Sequence, residues 1–148
     1  MGLKQLGGRP DAAREQIMAW LALAITAVAL LMPGPVVATI LSLAEPALEA
    51  VRHWQNSWWP WPATNAGDSN LAVDKIIHLM LFAMCAILAL KAWHTTLKTW
   101  SIILLLLVFA GFTEIVQYLV PGRSMSLGDM LADTLGILVG ALIFRGLP

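Results

Sequence analysis

Four apolar runs constrain this chain more than anything else in it: residues 17–32, 76–93, 100–120 and 130–144. In hydrocarbon every backbone N–H and C=O must find its partner inside the segment, so runs of this kind fold as helices. At 1.5 Å per residue the first spans roughly 24 Å, against a core of about 30 Å, so flanking residues must complete it. The last is also short unless its helix begins near Ser126. Hydrophobic residues make up 59% of the chain and charged residues 12%, where soluble domains run at about 45–50% and about 25%. The expected fold is all-α: an integral membrane bundle of four transmembrane helices with an additional interfacial helical segment.

Punctuation divides the chain further. Residues 1–15 read as a polar cytoplasmic leader and residues 16–148 as one helical membrane domain. "PGP" at 33–35 stops the first helix, because proline cannot supply a helical N–H. Residues 36–54 are too short an apolar stretch to span. They read as a continuation of the first helix or as an interfacial helix. "WQNSWWPWP" follows, with Trp54, Trp58, Trp59 and Trp61. Tryptophan favours membrane–water boundaries, so the leading expectation is an interfacial anchor, ahead of a stacking platform for a ring-bearing ligand. Together residues 36–70 form an extracytoplasmic Trp-rich insertion, closed by a polar loop at 65–70.

Lys4, Arg9 and Arg14, then Lys91 and Lys98, then Arg145 fall on one side of a four-span bundle. The positive-inside tendency makes that side cytoplasmic. Both termini are then cytoplasmic, and the expected location is a bacterial inner membrane. Formal net charge is zero, which gives no steering toward nucleic acid. The one cysteine, Cys85, reads as a small apolar filler. No G-x-S-x-G, phosphate-binding glycine loop or C-x-x-C occurs, and no cofactor is expected. Gly136 and Gly140 make a G-x-x-x-G that suits close helix packing, inside the bundle or across a homo-oligomer seam. Gly111 reads as close packing and Gly122 as a turn.

The costly residues converge. Asp74, Lys75 and His78 open the second span, with Asp74 and His78 on one face at i,i+4. Glu114 and Gln117 close the third, at i,i+3. Arg123 lies in the loop before the fourth span, and Ser126, Asp129 and Asp133 open that span. All fall in the outer third of the bundle. A charge at mid-bilayer costs about 2.5–3.5 kcal/mol on insertion scales, and less near the boundary or beside an opposite charge. The carboxylates outnumber Lys75 and Arg123, which leaves a shared proton, a bound cation or a general acid/base pair as options. Asp74, His78, Glu114 and Asp133 are suitable ligand types for Zn or Mn. No fixed metal motif such as H-E-x-x-H occurs, and no metal is assigned. Interhelical ties are the bland alternative for each residue taken singly.

"DKIIHLMLF" from Asp74, with "GFTEIVQYLVPGRSMSLGDMLADTLGILVG" from Gly111, resembles the VanZ-like membrane proteins. Asp74, Lys75, His78 and Phe82 match that family's D-K-x-x-H-x-x-x-F. Glu114, Gln117, Pro121, Arg123, Ser126, Asp129, Gly136 and Gly140 match its E-x-x-Q, P-x-R, serine, aspartate and glycine positions. Asp133 stands where the family usually has Asn. The resemblance covers residues 74–144, about half the chain, and leaves residues 36–61 outside it. It implies the bacterial cell envelope and low-level resistance to the glycopeptide teicoplanin, without a reaction.

Three functions are compatible with these residues. An outward polar pocket could bind an amphipathic ligand, such as a membrane lipid or a lipid-linked envelope precursor, through Asp74, Lys75, Gln117, Arg123, Ser126 and Asp133. An enzyme could use His78, Glu114 and Asp129 for acid/base chemistry on the same kind of molecule. A structural or partner-binding protein would need the polar groups only as a lock. Alternating-access transport is disfavoured, since four helices without an internal repeat are few for it.

Overall fold

A computed structural model of the chain describes residues 10–58 and 66–146. Six helices follow one another: α1 (Pro10–Leu30), α2 (Gly34–Leu43), α3 (Glu45–Trp58), α4 (Ala66–Trp93), α5 (Thr99–Gln117) and α6 (Leu127–Gly146). Four segments within α1, α4, α5 and α6 are long and apolar enough to cross a membrane. No strand occurs among the described residues. Large apolar side chains such as Trp20, Val28, Leu105, Ile115 and Leu142 are exposed on the outside of the bundle. Water would not tolerate so much contiguous apolar surface, whereas lipid would.

Two boundaries differ from expectation. The last residues of the polar leader are helical, because Pro10 is compatible with a first helical position and Asp11 places an acid in the first turn. The stretch expected as a polar loop at 65–70 is helical from Ala66 onward, so α4 extends beyond its membrane span, which begins at Val73. The side chains of Trp54 and Trp58, and the whole of Trp59 and Trp61, lie outside the described residues, and the expected tryptophan anchor with them.

The prolines break α1 as anticipated. α1 ends at Leu30 and α2 begins at Gly34, with Pro33 in the N-cap position. At 10 residues, α2 is about 15 Å long and cannot span. It buries none of its residues. α3 carries Glu45, Glu49, Arg52 and His53. The two short helices are the additional helical segment beside the four-span bundle.

α4 and α6 form the tightest seam. A Cβ on Gly136 would fall on the Leu79 carbonyl, and a Cβ on Gly140 on the Ala83 carbonyl and within 2.8 Å of the Ala86 Cβ. The G-x-x-x-G is thus occupied by α4 of the same bundle. Gly111 is different: nothing within 4 Å would meet its Cβ, so the close packing expected there is absent. Phe82, Cys85, Ala86, Leu90, Leu106 and Ile137 fill the core. Cys85 is buried, as a filler should be, and its Sγ lies 3.2 Å from Thr26 Oγ1.

The bundle has two chemically different ends. Arg14 and Lys91 share a hollow with Asp11, Glu15, Met18 and Leu88 at one end. At the other, the α1–α2 turn docks on the α5–α6 loop, where the Gly34 N–H donates to the Pro121 carbonyl at 3.0 Å. Gly122 has φ +75°, a left-handed conformation that favours glycine. Its backbone lies directly against Gly34.

Candidate functional site

At this second end the polar residues form two layers. The rim holds two ion pairs. Lys75 Nζ lies 3.3 Å from Asp129 Oδ1, with the lysine side chain 41% exposed and the aspartate 10%. Arg123 Nη1 lies 3.7 Å from Asp74 Oδ1. The start of the membrane span within α4, the α5–α6 loop and the first turn of α6 supply these four residues.

One helical turn deeper lies a buried layer. His78 Nδ1 is 2.8 Å from Asp133 Oδ1, and both side chains are fully buried. A carboxylate only accepts, so with Asp133 ionised the imidazole carries its hydrogen on Nδ1. Glu114, near the end of α5, accepts the Ser126 N–H on Oε2 at 2.9 Å. Ser126 also caps α6: its Oγ accepts the Asp129 N–H at 3.3 Å. Such a cap satisfies a donor that the helix itself cannot. The cap fixes the register in which Asp129 meets Lys75 and Asp133 meets His78. Phe82, one turn further along α4, is buried against Phe109 at a ring separation of 5.8 Å and closes the site below with apolar surface.

Three buried polar atoms in this layer lack a hydrogen-bond partner: His78 Nε2, Glu114 Oε1 and Asp133 Oδ2. Buried polar atoms are overwhelmingly paired in folded proteins. His78, Glu114 and Asp133 each offer a donor atom within 4.8 Å of the others', and Asp74, His78 and Asp129 form a second such set. His78 belongs to both.

Of the residues singled out in the sequence, the structure therefore gathers Asp74, Lys75, His78, Glu114, Arg123, Ser126, Asp129 and Asp133. Gln117 is the exception. Its Nε2 donates to the Leu30 carbonyl at 2.9 Å, so it ties α5 to α1. The "PGP" break explains this. The residue that would continue helical bonding to Leu30 is Gly34, whose N–H goes instead to Pro121. The vacated carbonyl takes Gln117. Spacing alone put Gln117 on the Glu114 face, and only the α1–α5 contact reveals its partner.

A multi-pass α-helical membrane protein with a layered cluster of ionisable residues at one end is the class that this fold and site define. The chain belongs to the VanZ/LLP1 family, whose model matches residues 17–147. The match takes in the first span and the Trp-rich stretch, and so reaches well beyond the residues on which the resemblance rested. Comparisons with curated proteins and with solved structures returned no match.

Proposed function

We propose that the two-layered cluster faces the outside of a bacterial inner membrane and that its rim binds the head group of an amphipathic or lipid-linked envelope component. In this reading the protein contributes to glycopeptide resistance of the teicoplanin type. The supporting observation is the arrangement of charge. Lys75 and Arg123 are the cations of the rim, and each is already held by a carboxylate. An anionic head group, a phosphate above all, would compete for those cations, and the arginine fork suits it in a bidentate manner. The opposite end, which carries Arg14 and Lys91, would face the cytoplasm.

A second reading is supported by the His78–Asp133 pair. An imidazole oriented by a carboxylate, with Glu114 nearby, is suited to moving a proton at a substrate held on the rim. Release of a new product on incubation with the ligand would mark the protein as an enzyme.

Arg123→Gln is the test of head-group recognition. Purified protein in nanodiscs is titrated with a polyprenyl-diphosphate-linked cell-wall precursor, and a sensitive bacterial strain expressing each form is challenged with teicoplanin. Loss of one bidentate charge-assisted contact is expected to weaken binding about 10-fold, or roughly 1.4 kcal/mol. The variant should also remove the protection at equal protein level. Undiminished affinity and protection would refute the head-group reading.

A further inference from the structure

We infer that the buried layer is a binding site for one divalent transition-metal cation, of the Zn2+ or Mn2+ class, held by His78, Glu114 and Asp133. The inference does not rest on the lipid-ligand reading, since the rim and the buried layer use different residues.

Geometry supplies the first argument. The three residues bring donor atoms within 4.8 Å of one another, all in buried side chains. Metal–ligand bonds of about 2.0–2.2 Å place neighbouring ligand atoms about 3.4 Å apart, so small side-chain movements close the shell. The unpartnered atoms supply the second. His78 Nε2, Glu114 Oε1 and Asp133 Oδ2 have no hydrogen-bond partner. A cation taking the place of the hydrogen between His78 Nδ1 and Asp133 would be bound by Nδ1 and would give the Glu114 and Asp133 carboxylates a partner at once. Glu114 Oε2 is already anchored by the Ser126 N–H, which leaves Oε1 to ligate.

Charge supplies the third. On the rim Lys75 and Arg123 offset Asp129 and Asp74. In their ligating forms, a neutral His78 with ionised Glu114 and Asp133, these groups would carry two negative charges. Uncompensated buried charge is costly, and a divalent cation balances these two. The donor set chooses the metal. One imidazole with carboxylate oxygens and no thiolate suits Zn2+ or Mn2+ over soft ions. Cys85 is absent from both donor sets.

The full chain, purified through a tag that lacks histidine, is stripped with a chelator and then equilibrated with Zn2+ or with Mn2+. Metal is counted by mass spectrometry of the element. Close to one ion per chain is expected. Glu114→Gln and Asp133→Asn, which preserve side-chain size, should each weaken binding by at least ~10-fold. Cys85→Ser should leave binding unchanged. X-ray absorption of the loaded wild-type protein should show nitrogen and oxygen neighbours, an imidazole among them, and no sulfur. Less than about a tenth of an ion per chain with either metal would overturn the inference in favour of protons as the balancing charge. Unchanged affinity in both variants would overturn it too. Should the variants not fold, the wild-type spectrum decides alone: a sulfur shell or a fully hydrated ion refutes the site. Failure here with precursor binding intact would leave the head-group reading standing.

Discussion

Gly136→Ala is expected to destabilise the bundle by about 2–3 kcal/mol, close to the upper end for inserting one methyl into a packed interior. The added Cβ would meet the Leu79 carbonyl and carbon of α4. These are backbone atoms of a helix, so no rotamer change relieves the overlap. α4 and α6 must separate, and their separation pulls Asp133 from His78 and Asp129 from Lys75. The site and the seam should therefore fail together. Gly111→Ala is the matched control, because its Cβ meets nothing within 4 Å. Alanine is the better helix former by roughly 1 kcal/mol, so this variant should be neutral or slightly more stable. Equilibrium unfolding in mixed micelles measures both. Equal effects at the two positions would show that α4 and α6 do not approach as described.

Asp133→Ala should cost about 3 kcal/mol. Both side chains of the His78–Asp133 pair are fully buried, and their contact is 2.8 Å. Truncation removes the acceptor for the imidazole N–H, and water cannot replace it at this depth. Breaking one side of a buried pair costs more than the pair contributes, since the survivor stays desolvated. Asp133→Asn keeps an acceptor oxygen and should remain within about 1 kcal/mol of the natural chain. The same unfolding experiment distinguishes them. A similar loss in both would mean that the negative charge, rather than the hydrogen bond, holds this contact.

Hydrophobic length made the four spans legible, because a segment in lipid has few alternatives to a helix. Their ends were less so. Pro10 and Asp11 extended α1 into the polar leader, and α4 ran back to Ala66 through residues that read as a loop. Polar composition does not stop a helix that has already entered water. The site was legible from i,i+4 spacing at Asp74 and His78 and at Asp129 and Asp133, since a helix fixes what shares a face. Pairing between helices was not. That Lys75 meets Asp129, that Arg123 meets Asp74, and that Gln117 leaves the site for Leu30 all depend on packing. Gly111 and Gly136 both read as close-packing positions in apolar helices, and only the neighbour opposite makes one of them indispensable.

The central claim is that residues far apart in the chain meet in one buried polar layer, and a double-mutant cycle on His78 and Asp133 tests it most directly. His78→Ala, Asp133→Ala and the double variant are unfolded under identical conditions. Direct contact predicts that the second substitution costs less once the first is made, with a coupling of at least about 1 kcal/mol. Costs that simply add, to within about 0.5 kcal/mol, would place the two side chains in separate environments and contradict the account.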